Sequence, residues 1–440
     1  MTDPSLSESG RMPARKPGPG PEADLLAFYR RHATEVLIPF WIGALDERYG
    51  GVLTCFENSG ARLLSRNKYV WSQGRFLWLL SRLSSLCSRG LLDGDAGEYL
   101  DHAGRTAGFI DEHAILPNGN CAFLLSETGE LLESVPGEGH DTSLFADCFV
   151  VLGYAEYARV GGEDRFLAKA LYLYDRVLAR IGRGEVRTEP YPIPRGYEAH
   201  SLPMILLNTS QELAESTERL GHPRARELRD RASGYAAEIM DGFCLGDGDV
   251  VTELKPEDEA LAGTLLARHR NPGHSLESMW FVLSESQRHD RDDQTRRAAT
   301  VIRRAVELGW DDDHGGLLRF VDRDGGMPKG VPTDDPYERL IRETWDTKLW
   351  WPHSEALYAT LLAAEVSDDP TFYKLYNKVH DYAFGTFPNP DRSVGEWVQI
   401  RDRRGRPVEK VVALPVKDPY HVLRNVLLVI ELLNEGTGTS

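Results

Sequence analysis

Two kinds of helix-like segment alternate along almost the whole of this chain. One kind has a single apolar stripe and a broad charged face, as in HPRARELRDRASGYAAEIMD at 222–241. The other is apolar nearly all round, with isolated polar residues near its start, as in YVWSQGRFLWLLSRL at 69–83 and HSLESMWFVL at 274–283. A helix with one stripe lies on a surface; a helix apolar on every side is buried on every side. The segments fall near 23–44, 67–89, 96–114, 143–160, 163–182, 200–220, 222–241, 274–288, 292–308, 346–365, 369–385 and 418–435, six of each kind. An inner ring of six wrapped by an outer ring of six satisfies that pattern. The expected fold is therefore all-α, an (α/α)6 barrel. Asp95, Thr142-Ser143, Asp368-Asp369 and Asp418 before Pro419 supply capping chemistry at several starts.

Between helix pairs lie GGVLTCFENSG (50–60), CAFLLSETGELL (121–132), GGLLRFVDRDG (315–325) and GEWVQIRDRRG (395–405), each read as two short strands around a tight turn. Their recurrence points to a repeated helix–loop–helix unit. Residues 23–436 then form one domain, preceded by a disordered tail at 1–22 that is rich in Pro, Gly and Ser.

A formal charge of −17 counts against a nucleic-acid partner, which needs a clustered basic surface. The absence of a long apolar run or a signal peptide predicts a cytoplasmic protein without a membrane partner. The five cysteines are scattered with no CxxC pair, which fits reduced thiols and argues against a zinc site. No GxGxxG, P-loop, HExxH or GxSxG motif occurs, so neither a redox cofactor nor a metal is expected.

One polar residue recurs near the start of each expected inner helix: Arg75, Asp147, His200, His274, Glu355 and His421. Parallel inner helices would bring these residues together in a pocket at one end of the barrel. His274 shares a helical face with Glu277, and Lys348, Trp351 and Glu355 form a stripe in KLWWPHSEA. Rings interleaved with charged groups suit a sugar, and histidines suit acid–base work near neutrality. Each residue taken singly also has a structural reading: a satisfied core histidine, or an Arg75–Glu355 ion pair. Asp147 reads as structural before catalytic.

The stretches GGVLTCFENSG, NKYVWSQGR, CAFLLSETG, LPMILLN, RNPGHSLESMWFVL, GWDDDHGGLLRFVD, KLWWPHSEA, GEW and YHVLR, in that order, resemble the N-acylglucosamine 2-epimerase family across about residues 35–430. The resemblance implies the same barrel and a reaction at carbon 2 of a ring-opened sugar. It implies His274 and His421 as the acid/base pair and Arg75 as the group on the carbonyl oxygen. It also implies Glu355 as a required carboxylate, with Glu277 beside His274. Trp351, Lys348 and His200 are further candidates for substrate contact. Relatives acting on mannose or cellobiose carry a histidine where this chain has Met204, whereas VKDPYHVLR departs from the N-acetylglucosamine branch.

The expected activity is thus interconversion of N-acetylglucosamine and N-acetylmannosamine, with an aldose–ketose isomerase or 2-epimerase of a neutral sugar as the alternative. A glycoside hydrolase using Asp147 and Glu355 would leave both histidines idle. A protein-binding role without catalysis would leave the whole set unexplained. ATP is an activator of some relatives, but no phosphate loop places it here, and a homodimer through outer helices is expected.

Overall fold

A computed structural model of the chain describes residues 19–244, 250–289, 291–367, 369–412 and 414–437. Its helices begin with α1 (Pro19–His32) and α2 (Ile38–Gly43), joined by a π-helical turn over Ala33–Leu37. They continue with α3 (Val70–Ser88), α4 (Ala96–His113), α5 (Leu144–Val160), α6 (Asp164–Gly182), α7 (Ser201–Arg219) and α8 (Ala225–Gly242). The remainder are α9 (Leu265–Arg268), α10 (Pro272–Arg288), α11 (Asp292–Gly309), α12 (Pro336–Thr344), α13 (Trp350–Val366), α14 (Thr371–Thr386) and α15 (Tyr420–Thr437). All twelve expected segments are present. Residues 1–18 of the expected tail lie outside the described residues, and α1 opens at Pro19.

The inner ring is α3, α5, α7, α10, α13 and α15, each packed on the next and α15 closing on α3. An outer helix backs each of them: α4, α6, α8, α11, α14 and, behind α15, α1. This is the (α/α)6 barrel, and the burial follows the sequence pattern. In α13, 14 of 17 residues are buried. In α11 only a stripe from Thr295 to Gly309 is buried, spaced at helical intervals.

Three of the four expected hairpins are corrected. Only 121–132 forms a local hairpin, with β2 (Leu124–Leu125) against β3 (Leu131–Leu132); β2 also pairs with β1 (Lys68–Tyr69). Further along, β4 (Tyr197–Ala199) pairs with β5 (Leu254–Pro256), β6 (His269–Arg270) with β7 (Val321–Asp322), and β8 (Lys348–Leu349) with β9 (Ile400–Arg401). Thus 315–325 and 395–405 each give one strand to a distant partner, and 50–60 makes only isolated bridges, Leu45 to Val52 and Phe56 to Leu63. The extended residues entering an inner helix carry backbone groups that need partners, and the chain leaving the outer helix lies alongside to supply them. The Ser143–Thr188 bridge does the same at α5. These pairings gather the starts of the inner helices at one end.

Candidate active site

The first two turns of the inner helices enclose a cavity at that end. Arg75 and Trp71 come from α3, Phe149 from α5, Met204 and Asn208 from α7, His274 and Glu277 from α10, Trp351 from α13, and His421 and Arg424 from α15. Two glycines permit this packing. A side chain at Gly74 would meet the Phe149 backbone at 2.4 Å, so α3 and α5 approach closely enough to lay the Arg75 guanidinium 4.0 Å over the Phe149 ring. A side chain at Gly273 would lie 2.5 Å from the Trp351 ring, which instead rests beside His274 with ring centroids 5.0 Å apart.

His274 sits in the first turn of α10. Asn271 caps that helix by accepting from the His274 backbone N–H, and Pro272 fits the opening position, where no N–H is required. His274 Nδ1 donates to Glu253 Oε1 at 2.7 Å. Burial pushes the imidazole pKa down, but the Glu253 charge and hydrogen bond outweigh burial and leave it raised. On the carboxylate, burial pushes up and is outweighed by His274, holding Glu253 at about 2.

His421 has the same arrangement and also packs against Trp351, with ring centroids 5.5 Å apart. Its Nδ1 donates to Glu355 Oε1 at 2.7 Å, and Trp280 Nε1 donates to Glu355 Oε2 at 2.8 Å. Arg424 donates at 2.7 Å to Glu277 Oε1 and to Glu355 Oε1. Burial would raise the Glu355 pKa, but Arg424 and His421 overcome it and hold it at about 2. With Nδ1 committed to a carboxylate on both rings, Nε2 is the nitrogen left for proton exchange with the cavity. Ligand atoms of Glu277, Glu355 and His421 lie within 4.8 Å of one another, a spacing that suits a cation. The Arg424 guanidinium already supplies that positive charge.

Arg75 lies next to His421 through Asp418. Its Nη1 donates to Asp418 Oδ2 at 3.1 Å, and the same oxygen is 3.4 Å from His421 Nε2. Asp418 Oδ1 accepts from the Tyr420 N–H at 3.0 Å, so one carboxylate caps α15 and orients Arg75. The cavity wall therefore carries two imidazole–carboxylate pairs and an arginine whose remaining N–H groups have no competing ion-pair partner among the described residues.

The structure thus brings together Arg75, His274, Glu277, Trp351 and His421 around the cavity, with Glu355 directly behind His421. It does not bring Lys348 or His200 there. The Lys348 ammonium is fully buried, 3.0 Å from Asp311 Oδ2, and donates to the Gly315 and Gly316 carbonyls, so it secures a loop. His200 is turned away from the cavity, with Nε2 3.0 Å from Ser278 Oγ. Burial lowers its pKa to about 4. Asp147 is buried against Arg180 at 3.0 Å and accepts from the Cys121 N–H, a structural place. Sequence reasoning missed Glu253, which lies outside any helix beside β5, and the second role of Asp418. Asp418 was visible as a cap; nothing around Glu253 marked it.

Structural comparison places the barrel among the sugar epimerases and isomerases in fold. It superposes on the cellobiose 2-epimerase of Spirochaeta thermophila with a TM-score of 0.74 at 18% identity, covering 95% of this chain and 99% of that one. A D-mannose isomerase gives 0.71 at 18% identity, over 92% and 97%. Sequence narrows the class. The family described as N-acylglucosamine 2-epimerase (GlcNAc 2-epimerase) matches residues 51–425. The N-acylglucosamine 2-epimerase of Homo sapiens is 30% identical over 96% of this chain and 94% of its own length; that of Mus musculus is 30% identical over 94% and 93%. The chain belongs to the N-acylglucosamine 2-epimerase family and is an isomerase. No helix among the described residues is long and apolar enough to cross a membrane.

Proposed function

We propose that the protein interconverts N-acetyl-D-glucosamine and N-acetyl-D-mannosamine by moving a proton at carbon 2 of the ring-opened sugar. The observation that carries this reading is the matched pair of imidazoles at the cavity, both packed against Trp351 and each held through Nδ1 by its own carboxylate at 2.7 Å. Inverting a carbon needs one base on each face, and these two groups come from different helices, α10 and α15. The relatives named for N-acylglucosamine stand at 30% identity, whereas the cellobiose 2-epimerase of Ruminococcus albus stands at 21%, so the neutral-sugar alternative is not favoured.

The neutral imidazole on one face takes the carbon 2 proton through Nε2, and its carboxylate stabilises the imidazolium that forms. The C–H electron pair becomes the carbon 1–carbon 2 double bond, and the carbonyl π pair moves onto the carbon 1 oxygen. Arg75 stabilises that oxygen as its negative charge develops. The protonated imidazole on the other face returns a proton to carbon 2, so one turnover exchanges the roles of His274 and His421. Trp351 offers a ring face for the sugar C–H groups between them. The groups that move the proton all belong to the chain, so the reading calls for no redox group or metal. It also has the protein working in the cytoplasm as a homodimer packed through outer helices.

The test is a proton NMR time course in D2O with N-acetylmannosamine. N-acetylglucosamine carrying deuterium at carbon 2 is the expected product. Its absence, with mannose turned over instead, would overturn the substrate assignment.

A further inference from the structure

Asn208 is one of few polar side chains that line the cavity without a task inside the protein. It is 4% exposed, sits two turns into α7, and its carboxamide has no hydrogen-bond partner among the described residues. Other buried asparagines are bonded: Asn58 donates to the Ile400 carbonyl, and Asn271 caps α10. The carboxamide opens onto the cavity, so a ligand that displaces solvent there must offer a group that pairs with it or leave it unsatisfied, at a cost of about 1–3 kcal/mol. Met204 lies one helical turn earlier on the same face of α7 and lines the same cavity. Phe281 of α10 completes an apolar edge beside it, since Gln211 of α7 donates to the Phe281 carbonyl at 2.9 Å.

We infer that Asn208 and Met204 form the wall that recognises the N-acyl group of the substrate. This rests on the N-acylhexosamine reaction proposed above. Carbon 2 has four substituents. The exchanging hydrogen lies along the line between His274 and His421, and carbon 1 points to Arg75 on α3. The two that remain are the acylamino group and the hydroxyl-rich chain from carbon 3 to carbon 6. The longer polar chain takes the open mouth, and the acylamino group is left to the side of the helix ring away from α13 and α15, where α5 and α7 stand and α7 presents Asn208 and Met204. An acylamino group presents one N–H and one carbonyl; a carboxamide answers both, with the acyl methyl against the Met204 thioether. A hydroxyl at carbon 2 would leave part of Asn208 unpaired, which turns the residue into a filter against neutral sugars.

Two variants test this by kcat/KM, with carbon 2 deuterium uptake as the readout. Asn208→Leu is expected to lose at least 10-fold with N-acetylmannosamine, mostly in KM. Met204→Ala is expected to shift preference at least 10-fold from the N-acetyl toward the N-butanoyl sugar, and it stands whether or not the Asn208→Leu protein folds. If the wild type turns over N-acetylmannosamine and Met204→Ala keeps its chain-length preference, or a folded Asn208→Leu protein keeps its kcat/KM, the acyl wall is refuted while the reaction stands. If the wild type does not turn it over, the reaction fails and the inference falls with it.

Discussion

Glu253→Gln isolates one electrostatic effect in this site. Glutamine keeps the size of the side chain and an oxygen able to accept from His274 Nδ1, and it removes only the charge. The Nδ1–Oε1 contact is 2.7 Å, with Glu253 buried and His274 partly exposed at the cavity edge. With charge centres about 4 Å apart and an effective dielectric of about 20, the attraction is about 4 kcal/mol. A transition state in which the imidazolium is half formed loses about half of that, about 2 kcal/mol, or roughly 30-fold in kcat. KM should change little if Glu253 acts on the sugar only through His274. The limb of the pH–rate profile that reports His274 should move to lower pH, because Glu253 is what raises that imidazole against burial.

Stability should carry the same signature. A histidine whose folded-state pKa is raised contributes stability that is present below its unfolded value, about 6.5, and is lost as pH rises through the folded value. The urea stability gap between wild type and Glu253→Gln should therefore be wider near pH 5 than near pH 9. The assay is carbon 2 deuterium uptake across pH together with urea unfolding. An unchanged kcat and pH profile in a folded variant would refute the idea that His274 becomes charged in the reaction.

Three further outcomes follow from the contacts described. Lys348→Met should cost about 2 kcal/mol in urea unfolding, since Asp311 keeps Arg403 as a partner and the Gly316 carbonyl keeps the Asp311 N–H, but the partly buried Gly315 carbonyl loses its donor; a raised KM at unchanged stability would restore it to the substrate. Arg75→Lys should lower kcat/KM by about 100-fold or more with an unaltered circular dichroism spectrum, because a point charge does not replace a planar fork held by Asp418; near-wild-type turnover would contradict its place at the enediolate. Glu355 is held at about 2 against an ordinary 4.5, so the stability it contributes should be present above about 4.5 and drain away as pH falls toward 2. Glu355→Gln should be flatter in that window, read by thermal unfolding, and an equally steep loss would assign the acid transition to other groups.

The barrel was legible because burial from all sides is written locally: every turn of α13 is apolar, whereas α11 alternates. The direction of a polar residue at the mouth was not. Asp147 and His200 stand near the starts of inner helices, as His274 does, but successive residues are rotated by about 100° around a helix. That rotation sends Asp147 to Arg180 on α6 and His200 to Ser278 on α10. Glu253 was beyond reach for another reason. It meets His274 only because β4 and β5 pair, with Ala199 opposite Leu254, which places the residue before Leu254 at the cavity edge.

Lys348, by contrast, carried a readable signal. Asp46, Gly50-Gly51 and Lys68 recur as Asp311, Gly315-Gly316 and Lys348. Lys68 bonds Asp46 at 2.8 Å and the Gly50 carbonyl at 2.8 Å, the contacts that Lys348 repeats with Asp311 and Gly315. Five residues on, Gln73 accepts from the Val52 N–H and His353 from the Leu317 N–H, both at 2.8 Å. The two copies lead into α3 and α13, which bring Trp71 with Arg75, and Trp351, to the cavity. The lysines end on buried carboxylates and carbonyls of the preceding loops, so they, and His353 with them, serve the loop that aims each helix.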